Sequence, residues 1–186
     1  MFWEITIKRT IVLQPSMLHG DFINFSSALL TQLLDEVTNL KCSEDHGYYV
    51  TPTAIENVEQ GKVRPITGVV AFPIQFKCIV FKPYVKEILD GEVKKVVRRG
   101  CFLSSGPLDE IFLHETMMNG CHYYQNESTG ACLFKNEQQG FEIKEGTILR
   151  FQLIGIRWVE EQRVFKALGS INGDFLGCIN EFDCVQ

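Results

Sequence analysis

The sequence has no CxxC pair, no bilayer-length apolar run and no excess of positive charge. Its seven cysteines stand at 42, 78, 101, 121, 132, 178 and 184, without the paired spacing of a structural zinc site. The opening Met1-Phe2-Trp3-Glu4 lacks a basic, then apolar, leader pattern, and no run approaches the ~18 apolar residues of a membrane span. These absences set the expectation of a reducing compartment with free thiols. With 18 basic and 23 acidic residues the net charge is −5, which excludes a surface that holds phosphate backbones everywhere. Any nucleic-acid contact must be local. There is no G-x-S-x-G, H-E-x-x-H, P-loop or G-x-G-x-x-G. The acidic pairs Glu44-Asp45, Asp109-Glu110 and Glu160-Glu161 sit beside glycine, proline or polar residues, as solvated turns do. The expectation is therefore no catalytic constellation, no metal and no cofactor.

What is present is core material. Hydrophobic residues make up 45% of 186 residues, and 14 phenylalanines outnumber two tryptophans. That suits two compact domains. Residues 2–13 read as a strand ending at Gln14-Pro15, with Asp21 placed to cap the next element. Apolar residues at 22, 25, 29, 33 and 40, with a second row at 30, 34 and 37, make one wide stripe on a helix ending near Lys41. Tyr48–Thr51 is rich in β-formers, and Glu56–Gly61 reads as a polar loop. Val70, Phe72, Ile74, Phe76, Cys78 and Val80 alternate strictly, and Pro73 among them predicts an edge or bulged strand. The first unit is thus a small α+β domain ending near the Lys82-Pro83 hinge.

The second half is β-rich. Val93–Val97, Cys101–Ser104 and Ile111–His114 are short runs punctuated by Gly91, Gly100 and Gly106. Residues 119–145 are polar and read as a long loop with a short strand or turn in it. Ile148–Val159 and Arg163–Ile171 form a hairpin about Glu160–Gln162. Five strands with one long connection predict an OB-fold barrel.

The candidate binding surface lies here. Lys94-Lys95-Val96-Val97-Arg98-Arg99-Gly100-Cys101-Phe102 sets four cations before a glycine and an aromatic. A period of two sends Lys94 and Arg98 to one face and Lys95 and Arg99 to the other. Phe112 and His114 share a face of their own strand. Cations beside π-faces on a small barrel suit single-stranded nucleic acid. Periodicity alone also allows a solvated strand with Phe102 and Phe112 in the core.

An ordered set of segments carries a resemblance. Gly47-Tyr48-Tyr49-Val50, Gly61-Lys62-Val63-Arg64-Pro65 with Gly68, Phe81-Lys82-Pro83, Gly91-Glu92-Val93 and the run Gly169–Gly177 resemble the seventh-subunit stalk family of RNA polymerases, which has an archaeal counterpart. The likeness spans Met1 to about Gly177. It implies a truncated-RNP-like, polymerase-docking domain over 1–82 and an RNA-binding OB barrel over 83–186, an α+β unit followed by an all-β one. It implies a non-catalytic subunit of a nuclear DNA-dependent RNA polymerase, paired with the fourth-subunit family and guiding nascent RNA. The matching docking tip is the Pro15-Ser16 turn with Gly61, Lys62, Val63, Arg64 and Pro65. The RNA face carries over to Arg99, Phe102, Phe112, His114 and Arg157, with Lys95 beside them. Related barrels often have an aromatic at Arg99 and an acid at Arg157; both changes favour phosphate contact over stacking. Gly155–Glu160 with Ala167-Leu168, and Phe72–Phe76, look more like the plant variants serving RNA polymerases IV and V in RNA-directed silencing than the RNA polymerase II form. The alternatives are an RNA polymerase II stalk subunit or a free RNA-binding barrel.

Overall fold

A computed structural model describes residues 1–18, 22–125, 132–136 and 140–179. They divide into two compact units, Met1–Lys82 and Pro83–Gln186. Asp21, expected to cap the helix, and Cys184 lie outside the described residues.

The first unit runs β1 (Phe2–Leu13), a 3-10 turn (Pro15–Met17), α1 (Phe22–Leu40), β2 (Cys42–Ser43), β3 (Gly47–Val58), β4 (Lys62–Val63) and β5 (Val70–Phe81). The sheet order is β1-β5-β3-β2, with β4 also on β5. Alternation puts Ile11, Leu13, Ile74, Phe76, Cys78 and Val80 on one face, where Leu29, Leu33 and Val37 of α1 close the core. Each fully buried large apolar side chain is worth about 1.5–3 kcal/mol of transfer from water. The expected helical stripe is narrower than its second row implied, since Leu30 and Leu34 are exposed.

Two expectations for this unit are corrected. β5 is the central strand, paired with β1 along its length and with β3 on the other side. Pro73 is tolerated because β3 pairing ends at Ile74 and β4 pairing begins at Ala71. In that gap the Pro73 carbonyl accepts from Glu59 N at 2.9 Å. An extended residue points its nitrogen and carbonyl to the same side. The missing donor therefore faces the 59–61 loop and spares the ladder to β1. The irregularities sit on β3, as register shifts at Tyr49/Thr51, Pro52/Ala54 and Ile55/Asn57. They let β3 run on to Val58, through part of the stretch expected as loop.

The second unit contains β6 (Ile88–Val97), β7 (Gly100–Ser105), β8 (Leu108–His114), β9 (Cys121–Gln125), β10 (Cys132–Asn136), β11 (Phe141–Ile143), β12 (Ile148–Val159), β13 (Val164–Ser170) and β14 (Gly177–Cys178). Strand order β13-β8-β7-β6-β12, closed by β12 on β13, makes a five-stranded barrel consistent with an OB-fold. β8 and β13 are parallel. Cys101, Leu103, Ile111, Leu113, Leu149, Phe151 and Leu153 fill it. The 119–145 segment is a further correction: β9, β10 and β11 form an antiparallel sheet of their own. Its inward residues Tyr123 and Phe134 stack edge-on at 5.6 Å, and the buried Asn136 amide donates to the Asn119 carbonyl at 3.3 Å.

Candidate nucleic-acid interface

The neighbours of the two aromatics decide which way they point. Cys101 and Leu103 flank Phe102, Ile111 and Leu113 flank Phe112, and all four are fully buried. Strand alternation therefore turns Phe102 and Phe112 to the outside of the barrel. Phe102 is 42% exposed. Register then builds a row across four strands: Lys95 opposite Phe102, Phe102 opposite Phe112, and Phe112 opposite Leu168. The two rings lie 5.0 Å apart, and His114 meets Phe112 edge-on at 6.0 Å. A second row holds Glu110, Lys166 and Arg157 in that order.

These rows rim a groove of about 480 Å³, with Phe102, Phe112, Ile156 and Leu168 as its apolar lining. His114 Nδ1 accepts the Thr116 backbone N–H at 3.2 Å and lies 2.9 Å from the Thr116 hydroxyl. The imidazole is thereby fixed, with Nε2 left to carry the proton.

The cations depart from the strict period-two reading. Arg98 and Arg99 are the two turn residues between β6 and β7, and the register shifts between Val93 and Lys95. The turn is tight because a side chain at Gly100 would put its Cβ 2.2 Å from the Leu113 carbonyl oxygen and 3.0 Å from the Phe112 ring. Glu115 N donates to the Arg99 carbonyl at 3.0 Å, anchoring the tip. Lys94 is taken by Glu92. Among the described residues, Lys95, Arg98, Arg99 and Arg157 have no carboxylate in ion-pair distance, whereas Lys166 Nζ lies 2.7 Å from Glu110 Oε2. Asp109-Glu110 is on β8 and is not the solvated turn expected of it.

Three of the described thiols are held away from the thiolate form. Burial pushes the Cys101 and Cys42 thiols up to about 12 and Cys178 up to about 11. Among the described residues no group of His, Cys, Asp and Glu is placed to hold a metal ion.

Comparison with known proteins covers nearly the whole chain. The sequence is 33% identical over 181 residues to the RNA polymerase V subunit 7 of Arabidopsis thaliana, covering 97% of this chain and 99% of that one. It is 35% identical over 175 residues to the RNA polymerase IV subunit 7 of the same plant, covering 94% of each. It is 32% identical over 181 residues to the RNA polymerase II subunit RPB7 of Glycine max, at 97% and 98% coverage. The chain belongs to the subunit 7 family of DNA-directed RNA polymerases. No protein-family model matches it.

The residues that the family likeness marks for docking gather at one end of the first unit's sheet. Pro15 and Ser16 lie in the 3-10 turn, and Lys62 and Val63 form β4. A Cβ on Gly68, which has φ +69°, would lie 3.3 Å from Pro15 Cγ, so turn and loop are neighbours. Gly61 is required for a different reason, since its Cβ would meet the Phe72 ring at 2.5 Å. Arg64 N–H donates to Val69 O, and the Arg64 carbonyl accepts Gly68 N–H, both at 2.9 Å, closing the loop. Met17 and Ile66, which sequence reasoning did not single out, are exposed in the same turn and loop; Ile66 is 98% exposed. On the barrel it missed Glu110, Lys166 and Leu168. The alternation of Lys166 and Leu168 with buried Phe165 and Ala167 was the available signal.

Proposed function

We propose that this chain is a non-catalytic stalk subunit of a nuclear RNA polymerase, in the plant RNA polymerase IV/V branch that serves RNA-directed silencing. Whole-length identity to subunit 7 chains of those two polymerases is the observation that carries this reading. The first unit serves as a truncated-RNP-like docking domain. Pro15, Ser16, Gly61, Lys62, Val63, Arg64 and Pro65 form its tip on the polymerase core, and a fourth-subunit chain completes a heterodimer. The barrel guides nascent single-stranded RNA through Lys95, Arg99, Phe102, Phe112, His114 and Arg157. The physical support is one outward row of two rings at 5.0 Å with cations that no acid neutralises among the described residues. Because only a few phosphates are met, binding by the lone chain is modest and salt-sensitive.

Affinity purification followed by mass spectrometry of the co-purifying large subunits tests the assignment. The expected companions are the largest subunits of the silencing polymerases. Recovery with RNA polymerase II large subunits would move the chain to that enzyme. Migration as a free small protein in native extract would point to a stand-alone RNA-binding barrel.

A further inference from the structure

We propose that the groove over Phe102 and Phe112 holds one guanine base of the bound RNA, read at its edge by Glu110 and Lys166. This rests on the RNA reading above and extends it to a base preference. The groove, about 480 Å³ with an apolar lining, has room for a purine laid against the rings. A groove built only for phosphate has no use for a carboxylate on its rim, because the like charges repel. Glu110 nonetheless stands there, half exposed, with Lys166 Nζ at 2.7 Å and Arg157 next in the row.

The donor and acceptor pattern selects the ligand. A carboxylate only accepts and an ammonium only donates. Among the RNA bases, guanine alone presents two adjacent donors, N1–H and N2–H, beside an acceptor, O6. Glu110 takes the two donors and Lys166 donates to O6. Uracil flanks a single N–H with carbonyls; adenine and cytosine set one amine beside an acceptor. Unstacked bases of single strands are commonly read on this edge while they stack on aromatic side chains. Arg157 is then left for a neighbouring phosphate, which carries no sequence information.

The test is fluorescence anisotropy on the full chain at low salt, using labelled octauridine and versions with one central guanosine, adenosine, cytidine or inosine. The guanosine oligomer should bind about 3–10-fold tighter than octauridine, a modest ratio because both reading groups are half exposed. Inosine, lacking N2–H, should lose most of that gain. Glu110→Gln and, separately, Lys166→Met should bring the guanosine-to-uridine ratio close to one, with melting temperature checked for each. Equal binding of all oligomers by the unaltered chain overturns the base preference and leaves RNA guidance standing. So does a Glu110→Gln variant that tightens every oligomer by one factor, since the carboxylate then only repels phosphate. Free GMP competing as strongly as the guanosine oligomer would make this a nucleotide site and also overturn it. If no oligomer binds at all, the RNA reading itself fails.

Discussion

The face of the first sheet turned away from α1 and the outer face of the barrel carry similar side chains in different states. On the sheet, Lys77 lies 3.3 Å from Glu4 and 4.0 Å from Glu56. Gln75 donates to Glu56 at 2.8 Å, and Thr53 donates to Glu4 at 3.0 Å. The cation is closed in by two carboxylates, and this network carries no excess positive charge. On the barrel, Lys95 stands opposite Phe102 and Arg157 lines the groove over the two outward rings, and Lys95, Arg98, Arg99 and Arg157 have no acid in ion-pair distance among the described residues. A chain of net charge −5 can therefore own a basic face, because pairing decides which cations remain available and a total does not.

The largest test of this contrast is to remove each core in turn. Phe76 and Phe151 are both fully buried. Phe76→Ala and Phe151→Ala should each cost about 3–5 kcal/mol. Thermal melts should show both losses, but RNA crosslinking should collapse only for Phe151→Ala. Equal loss of crosslinking would mean that RNA is not held by the barrel face alone.

Next comes the stacking row. Phe102→Ala removes a side chain that is 42% exposed, so its stability cost should fall well short of a core deletion. RNA affinity should drop by about 1–3 kcal/mol, the worth of one stacked base. A melting loss as large as that of Phe151→Ala would return Phe102 to the core.

Charge reversal separates the two units further. Arg99→Glu should weaken every RNA sequence alike and lower the salt dependence by about one phosphate contact. Arg64→Glu with Val63→Asp should release the chain from polymerase large subunits while leaving RNA crosslinking of the isolated chain in place. If the doubly changed chain still co-purifies at normal stoichiometry, the tip is elsewhere.

The smallest effect is a pH limb. The Arg150 guanidinium, donating to Asp90 at 2.7 and 3.0 Å, holds the Asp90 carboxyl below its usual range. The unfolded chain then binds the extra proton, so this contribution is present above the unfolded value of about 3.9 and lost as pH falls through the lowered one. Arg150→Gln should flatten that acid limb in denaturant midpoints measured below about pH 4. An unchanged limb would assign it to other carboxylates.

Much of this was legible in the chain. The 3.6-residue spacing of Leu29, Leu33 and Val37 and the alternation from Val70 to Val80 reflect forces acting within one element, so they name the element and its buried side. Gly100 was legible only as punctuation between two strands; its close approach to the Leu113 carbonyl came with the structure. The 119–145 sheet was not legible, because its strands are short and polar on one face. Pro73 misled because its constraint concerns only the side its nitrogen faces, and the partner on that side was unknown.

The sequence by itself determined the kind of β1, α1, β5 and β12, the alternating core residues of β5, and the resemblance that the comparisons with subunit 7 chains bear out. Tertiary structure alone decided that β5 is central, that Phe102 and Phe112 point outward together, and that Glu110, Lys166 and Arg157 share one row. Periodicity is set by neighbours a few residues apart, whereas register and barrel closure are set by hydrogen bonds between strands far apart in the chain. Only those bonds can bring residues 110, 157 and 166 to one groove.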